Sequence, residues 1–406
     1  MTANGYTFDE MRRFHAEWSL ATWDKGGPLM RYTFRRMTEF FPHAVIRCAG
    51  PVAELSVNPR DDVANNAIQA SPGQMSLNDY VTAGPVNGVV ILHHGDIVYE
   101  RYPRMDADDL HLTMSVAKVF TSTLIAILEA HGLIDSLGPV ETYLPEVRGS
   151  GWEGVSVRDV LDMASGIDCD QSGADVYTNP ATPYYGFEAS LGWLPPTPET
   201  MSSTYEYVAR LGRLKEPARA FDYSSANTFL LAWIAERVTG RPYADLLSDE
   251  IWSQIGAEGD AVITTVPSSG ATTSHAGLSA RLRDIARFGL LFTPSRHVVS
   301  DAPIISERYL REIVSGGRPE VLANGITGRG IAARMADDPP LHNSYQWDYV
   351  MPDGDFYKGG YGGQGLYISP KRDVIVAFAG AFEIGGPDSE MASIARQLAR
   401  SGLFDG

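Results

Sequence analysis

The hydrophobic pattern of the chain differs between its ends and its middle. Near both ends, short runs of β-branched and other apolar residues stand in pairs around polar turns. Residues 89–92 (VVIL) and 97–99 (IVY) flank the sequence HHGD, and residues 366–368 and 374–378 flank the sequence SPKRD. Runs of this length around turn residues predict antiparallel β-hairpins. We therefore expect strands from both ends of the chain to contribute to one sheet.

Longer apolar segments with helical spacing lie between and after these hairpins. They predict α-helices at 115–130, 226–238, 279–291 and 389–400. Gly132 and Gly240 follow the first two segments, and glycine at that place commonly ends a helix. The region from about 140 to 320 is also mostly helical in pattern.

This order of elements predicts an α/β (α+β) fold in which an antiparallel sheet is flanked by helices and carries an inserted, mostly helical lobe. Residues 81–135 and 335–406 would form the α/β lobe, and residues 136–334 the helical lobe. Residues 1–80 are poorly patterned, and we expect them to pack on the body of the fold. A cleft between two lobes is where a small-molecule site is expected.

Composition and charge exclude several classes of function. The 406 residues are 44% hydrophobic and carry a formal net charge of −17, which argues against a nucleic-acid partner and an anionic membrane surface. The two cysteines, Cys48 and Cys169, make neither a metal-ligand pattern nor a disulfide framework. No secretory signal and no apolar run of about 20 residues is visible, which predicts a cytoplasmic protein without a membrane span.

Ser115 and Lys118 form an S-x-x-K motif at the start of the first long apolar segment. A spacing of three places the hydroxyl and the amine on one helix face, within reach of each other. A buried lysine loses its proton more easily than a solvated one, so the pair can act as nucleophile and general base. The structural alternative is an N-cap serine beside a lysine that extends to the surface.

Tyr223 lies in the sequence FDYSSAN, immediately before the helix predicted at 226–238. A tyrosine at such a junction can expose its phenol to a cleft, and near a lysine ammonium we expect its pKa to fall. It could then carry a proton to a leaving group. The alternative is a core tyrosine whose hydroxyl binds backbone.

A glycine-rich segment, KGGYGGQG at 358–365, leads into the strand at 366–368. Glycines at a strand edge allow close approach of a ligand, and free N–H groups there can bind an oxyanion. The alternative is a flexible turn.

These three features together resemble the penicillin-recognising serine enzymes: class C β-lactamases, D,D-peptidases and related esterases. The resemblance covers roughly residues 85 to 400, and it is closest to the 6-aminohexanoate-dimer (nylon oligomer) hydrolases through sequences such as MSVAK and YSSANT. It implies a β-lactamase-like fold in which Ser115 is the nucleophile and Lys118 and Tyr223 share the acid–base work. It also implies an oxyanion hole made by the backbone N–H groups of Ser115 and Gln364, with Ser225 beside the acyl group.

The sequence departs from these families around the substrate. Where β-lactamases carry Lys-Thr-Gly on the last strand, the resemblance aligns Tyr361, Gly362 and Gly363, similar to the Trp-Gly-Gly of the esterase branch. The nylon-oligomer hydrolases have a histidine at the position of Gly362 and an asparagine at that of His275. Glu188 is near the position of an acidic residue that contacts the substrate's amino group in those enzymes, and the alternative is a surface glutamate.

Aromatic residues are frequent between 170 and 200, and they include Tyr177 and Trp193. They would either pack a long loop or form a wall for an acyl or alkyl chain. A tyrosine that the nylon-oligomer hydrolases place in this region has no clear counterpart, and Gly173 is nearest to its position.

The sequence therefore predicts a serine hydrolase that cleaves a carboxylic ester or linear amide through an acyl-enzyme. Three alternatives remain: an acyltransferase, a D,D-peptidase or β-lactamase, and a non-catalytic acyl-binding sensor. No metal or cofactor motif is present. The expected partner is a small-molecule ester or amide, and a homodimer is compatible with the sequence.

Overall fold

The computed structural model describes residues 5–386 and 388–405. The strands in this part of the chain are β1 (His43–Ile46), β2 (Ala67–Ala70), β3 (Gly73–Ser76), β4 (Val86–His93), β5 (Asp96–Arg101), β6 (His111–Leu112), β7 (Ala261–Thr264), β8 (Leu278–Ala280), β9 (His342–Ser344), β10 (Trp347–Val350), β11 (Phe356–Gly360), β12 (Gln364–Ser369) and β13 (Val374–Gly380). The α-helices are α1 (Phe8–Glu17), α2 (Gly27–Phe34), α3 (Asp61–Ala64), α4 (Leu77–Ala83), α5 (Ala117–Ala130), α6 (Val157–Leu161), α7 (Pro183–Ser190), α8 (Thr204–Ala209), α9 (Ser225–Thr239), α10 (Tyr243–Leu247), α11 (Leu282–Leu290), α12 (Glu307–Ser315), α13 (Pro319–Asn324), α14 (Ile326–Arg334) and α15 (Met391–Ala399).

The main sheet has seven antiparallel strands in the order β5-β4-β13-β12-β11-β10-β9. Its centre joins the two ends of the chain, because β4 from the first hairpin pairs with β13 from the last one. Both predicted hairpins are present, as β4–β5 and β12–β13.

Both faces of this sheet are buried, because side chains along the central strands point alternately into two hydrophobic clusters. Val90 and Leu92 of β4 belong to one hydrophobic cluster together with Phe288 of α11. Val89 and Ile91 belong to a second cluster, which contains apolar residues of α4 and α15. Successive residues of a strand point to opposite faces, so a strand buried on both faces is apolar at every position. This explains the continuous VVIL run.

A smaller sheet, in the order β1-β7-β8-β6, connects three distant parts of the chain. One of the sequence predictions is wrong here. The apolar spacing of residues 279–291 predicts one helix, but 278–280 form β8 and the helix α11 begins at Leu282. β8 pairs with β6 and β7, and this pairing overrides the helical pattern that continues into α11.

Helices α5 and α9 pack against each other beside the main sheet. Both follow the predicted segments closely, and Gly240 ends α9 with a φ of 68°. Ser115 itself lies in a 3₁₀ turn, Met114–Val116, that immediately precedes α5. The division into two lobes with boundaries at 81–135, 136–334 and 335–406 stays a prediction.

None of the helices in the described part of the chain combines the length and the apolarity that a membrane span needs.

Candidate active site

The turn that carries Ser115 connects the short strand β6 to α5. The backbone N–H and the side-chain hydroxyl of Thr113 both donate to the carbonyl of Leu278 in β8, at 2.8 Å each. Met114 then adopts a left-handed conformation with a φ of 47°, which is uncommon for a residue with a side chain. This bend places Ser115, which is half-buried, at the N-terminal end of the helix. The positive end of the helix dipole there favours negative charge.

Lys118 lies one turn further along the helix and is fully buried. Its Nζ is 3.0 Å from the Oγ of Ser115, 3.1 Å from the Oγ of Ser225 and 2.9 Å from the carbonyl oxygen of His275. Burial, with the positive charge of Lys358 as a second cause, holds the pKa of Lys118 well below its ordinary value of 10.5. The predicted contact between serine and lysine is therefore present, and the lysine is not at the surface.

Tyr223 lies in the loop before α9 and presents its hydroxyl to the same centre. The Ser115 side chain lies close enough to the hydroxyl to lower its pKa, as the smallest of three effects. The ammonium of Lys358 donates to it at 2.9 Å, and Lys118 Nζ lies 5.1 Å from the centroid of its ring. The expected fall in pKa is wrong. Burial and the negative charge of Asp348 raise the pKa of Tyr223 well above 10, so its hydroxyl is protonated at neutral pH.

Lys358 and Asp348 are the site residues that sequence reasoning missed. Lys358, in β11, is fully buried, and its Nζ lies 2.5 Å from the Oδ1 of Asp348 in β10. The Oδ2 of Asp348 accepts the backbone N–H of Gly359 at 2.9 Å. The signal in the sequence was the rarity of lysine: only five occur in the chain, and this one begins the glycine-rich segment.

The part of the glycine-rich segment that lies beside the catalytic candidates differs from the predicted one. Lys358 contacts Tyr223, whereas the Tyr361 hydroxyl donates to the backbone carbonyl of Asp24 at 3.1 Å. A Cβ at Gly360 would lie 2.6 Å from the carbonyl oxygen of Thr113, so β11 meets the nucleophile turn there. Lys-Gly-Gly at 358–360, and not the segment that begins at Tyr361, is the part nearest the catalytic candidates.

Tyr361, Gly362 and Gly363 form the bend between β11 and β12, and Gln364 begins β12. Both glycines have φ values near 90°, and a Cβ at Gly362 would lie 2.4 Å from the Cε of Met30. The side-chain amide of Gln364 is buried and binds Gly380, donating to its carbonyl at 2.8 Å and accepting its N–H at 3.0 Å. The side chain thus fixes the bend, and the role of the Gln364 backbone N–H as an oxyanion donor stays a prediction.

A closed ring of hydrogen bonds begins and ends at Lys118. After Ser225, it continues through the amide of Gln171, whose Oε1 accepts from the Ser225 hydroxyl at 2.8 Å. The Nε2 of the same amide donates to the Tyr184 hydroxyl at 2.8 Å, and this hydroxyl donates to Glu188 Oε1 at 2.5 Å. The ring closes through His275, whose side chain binds the Glu188 carboxylate and whose backbone carbonyl accepts from Lys118.

The Nε2 of His275 lies 3.0 Å from Glu188 Oε1. Glu188 is therefore not a surface residue, since its side chain is only 5% exposed. Burial alone would raise the pKa of Glu188, but His275 and the Tyr184 hydroxyl outweigh it, so the pKa is below 4.5. The Oε2 of Glu188 is buried and has no hydrogen-bond partner among the described residues.

The two aromatic residues predicted at the substrate have different surroundings. Tyr177 is 45% exposed, and its hydroxyl accepts from Gln171 Nε2 at 3.0 Å. Trp193 is buried and packs edge-to-face on Trp23, with ring centroids 5.2 Å apart. Tyr177 is thus accessible beside the ring of hydrogen bonds, whereas Trp193 ties this region to the N-terminal segment.

Cys169, just before this region, is fully buried, and burial raises the pKa of its thiol. Among the residues that the structure describes, no group of three or more His, Cys, Asp or Glu side chains is arranged to hold a metal ion.

Comparisons with known proteins show the family to which this fold belongs. The model of the Beta-lactamase family matches residues 77–400, and the chain belongs to this family of serine hydrolases that act on amides and esters. It is 30% identical over 359 residues to the 6-aminohexanoate-dimer hydrolase of Paenarthrobacter ureafaciens, covering 88% of this chain and 86% of that protein.

Solved structures give the same result at the level of the fold. A Bacillus anthracis protein, described as a candidate 6-aminohexanoate-dimer hydrolase, superposes with a TM-score of 0.77 at 24% identity over 94% of this chain and 96% of its own. EstCE1, described as a hydrolase with promiscuous acyltransferase activity, has a TM-score of 0.59 at 15% identity over 80% of this chain and 96% of its own.

Proposed function

We propose that this protein hydrolyses carboxylic esters or linear amides through an acyl-enzyme on Ser115. The observation that carries the proposal is the arrangement around Lys118. A neutral amine has two N–H groups and one lone pair, and Ser225 and the carbonyl of His275 accept two hydrogen bonds from it. The lone pair is then directed at Ser115 Oγ, 3.0 Å away, as a general base requires.

In the proposed reaction, Lys118 takes the Ser115 proton as Oγ attacks the carbonyl carbon. The backbone N–H groups of Ser115 and Gln364 would bind the resulting oxyanion. Tyr223 then gives its hydroxyl proton to the leaving oxygen or nitrogen as the bond breaks, and the Lys118 ammonium restores that proton. Water attacks the acyl-enzyme by the same route in reverse and releases the acid. The raised pKa of Tyr223 supports its role as a proton donor at neutral pH.

We propose that the acyl side of the substrate lies against the region of Ser225, Tyr177 and Glu188. Glu188 has a buried carboxylate oxygen without a partner among the described residues. This supports a substrate with a hydrogen-bond donor on its acyl side, such as an amino group. The similarity to a 6-aminohexanoate-dimer hydrolase supports the linear amide as one substrate class to test.

The first experiment compares the hydrolysis of short-chain p-nitrophenyl esters and of the linear 6-aminohexanoate dimer by the wild type and Ser115→Ala. We expect the variant to lose about a thousandfold or more of kcat/KM, because the side chain that would carry the acyl group is then absent. Ser393→Ala, at an exposed position on α15, is the matched control and should retain full activity. Equal activity of the wild type and Ser115→Ala would refute the assignment, and the ratio of ester to amide turnover gives the preferred class.

The alternatives have separate readouts in the same assay. Partition of the acyl group to an added amine or alcohol in preference to water would indicate an acyltransferase. Rapid turnover of nitrocefin would indicate a β-lactamase. Labelling of Ser115 without turnover of either substrate would indicate a sensor. Cytoplasmic location and a homodimer stay predictions, which fractionation and light scattering can test.

A further inference from the structure

Lys358 is a buried lysine that uses two of its three N–H groups on neighbouring protein groups. In β10 and β11, Tyr349 faces Tyr357, so Asp348 lies directly across from Lys358. The Lys358 ammonium donates to Asp348 Oδ1 at 2.5 Å and to the Tyr223 hydroxyl at 2.9 Å. The side chain of Lys358 is fully buried and that of Asp348 is 15% exposed.

Asp348 is held in place as firmly as the lysine that it binds. Its second carboxylate oxygen accepts the backbone N–H of Gly359 at 2.9 Å, so the side chain is fixed across two neighbouring strands. A carboxylate with both oxygens bonded in this way has little freedom to turn away. Lys358 is therefore kept pointing at Tyr223, with 4.5 Å between its Nζ and the centroid of the ring.

This pairing controls what the cation can offer to a ligand. A lysine that recognises a substrate carboxylate must have uncompensated charge and free N–H groups. Two of the three N–H groups of Lys358 are used, and Asp348 cancels its charge at contact distance. An incoming carboxylate would also meet the like charge of Asp348, which is costly in a partly buried site.

We propose that Asp348 is a specificity-determining residue, which holds Lys358 on Tyr223 and excludes substrates whose leaving group carries a carboxylate next to the scissile bond. The inference rests on the proposed function, because it places the leaving group on the Tyr223 side of Ser115. A carboxylate separated from the scissile bond by a long methylene chain lies beyond the reach of Lys358 and is accepted.

The test uses two chromogenic esters that differ only in a carboxylate on the leaving group: p-nitrophenyl acetate and 5-acetoxy-2-nitrobenzoate. The measured quantity is the kcat/KM for the carboxylate ester divided by the kcat/KM for the neutral ester. We expect Asp348→Asn to raise this ratio by about tenfold or more relative to the wild type, because the charge of Lys358 is then unpaired. The double variant Asp348→Asn/Lys358→Met should lose this gain. General damage to the site lowers both rates and leaves the ratio unchanged.

Lys358→Met covers the case in which Asp348→Asn does not fold, as judged by circular dichroism and thermal unfolding. It leaves Asp348 without its cation, so the ratio should fall below that of the wild type. A ratio that stays within twofold of the wild-type value in folded Asp348→Asn, or in Lys358→Met when only that variant folds, overturns the proposal.

Failure of the proposed function has a different signature, because the wild type would then hydrolyse neither ester. In that case, calorimetric titration with the two leaving groups themselves, p-nitrophenol and 5-hydroxy-2-nitrobenzoate, decides the inference without turnover. The ratio of affinities, 5-hydroxy-2-nitrobenzoate over p-nitrophenol, should rise by about tenfold in Asp348→Asn. An unchanged preference overturns it.

Discussion

At the scale of single residues, the chemistry depends on how the three hydrogen bonds of Lys118 are shared. The charged amine can satisfy all three acceptors around it, and the neutral amine must release one. Ser225 and the His275 carbonyl are anchored by the rest of the fold, whereas Ser115 is the partner that can itself give up a proton. The hydrogen bond that the neutral amine gives up is therefore the one to Ser115, the nucleophile.

The protonation state of Lys118 should set the acid side of the pH profile. Since the neutral amine is the active form and its pKa is well below 10.5, kcat/KM for a neutral ester should rise with pH and level off below that value. Lys118→Arg should lose about a hundredfold or more of kcat/KM, because a guanidinium stays protonated. Lys371→Arg, at an exposed position, should keep the wild-type profile. An active Lys118→Arg enzyme with the same acid limb would contradict this role.

The residue scale also shows what the sequence could and could not predict about the site. Ser115 and Lys118 are one helical turn apart, so their spacing alone predicts that they meet. The contact between Lys358 and Tyr223 joins residues 135 positions apart, and its counter-ion Asp348 depends on the register of two strands. No local pattern encodes that register. The fall in pKa expected for Tyr223 failed because burial, the larger cause, and the charge of Asp348 both raise the pKa, and both depend on the tertiary fold.

At the scale of elements, the end of β11 is fitted against the turn that carries the nucleophile. A Cβ at Gly360 would lie 2.6 Å from the carbonyl oxygen of Thr113 and 3.1 Å from the Cβ of Met114. Real Cβ atoms are essentially never found below about 3.0 Å from a neighbour, so either the strand or the turn would have to move. The turn carries Ser115, and β11 carries Lys358, which contacts Tyr223.

We therefore expect Gly360→Ala to reduce kcat by about tenfold or more, since a shift of about 1 Å in a catalytic element has effects of this size. The matched control is Gly330→Ala in α14, where the nearest atom to a new Cβ is the end of the Arg334 side chain at 3.7 Å. It should keep full activity and gain slightly in thermal stability. Full activity in Gly360→Ala would show that β11 and the turn adjust independently of catalysis.

Elements with a clear period were predictable, and those made by long-range pairing were not. The doubly buried run at 89–92 and the glycine-terminated helix α9 follow from local patterns. The strand β8 has only three residues, and its apolar residues continue the pattern of α11. It is a strand because β6 and β7 supply partners on either side, and these come from elsewhere in the chain.

At the scale of the whole molecule, both ends of the chain are part of the structure around the site. The N-terminal segment places Trp23, Met30 and Phe34 in one hydrophobic cluster with Met114 and Trp193. The same segment is tied to the C-terminal region, because the Gly27 N–H donates to the Phe382 carbonyl at 2.7 Å. Folding of the site therefore requires residues from the beginning, the middle and the end of the sequence.

Trp23→Ala should test this dependence. Trp23 is 2% exposed and contacts three aromatic rings, so its removal should lower the free energy of unfolding by about 3–5 kcal/mol. It should also raise KM, because Trp193 loses the ring that supports it. Phe8→Ala, at a side chain that is 68% exposed, should change stability by less than about 0.5 kcal/mol. Urea unfolding with activity measured in parallel would show no loss of either property if the N-terminal segment were dispensable.

The packing of the molecule also separates its two thiols. Cys169 is sealed in the interior with a pKa raised by burial, while Cys48 follows the edge strand β1 and is only partly covered. Burial and the neighbouring carboxylate of Asp260 raise the pKa of the Cys48 thiol as well, so accessibility distinguishes the two thiols, and we expect maleimide to label Cys48 slowly and Cys169 not at all. A dye, a biotin or a solid support can be attached at Cys48 without mutagenesis, at a position that belongs to neither the nucleophile turn nor the Tyr223 loop.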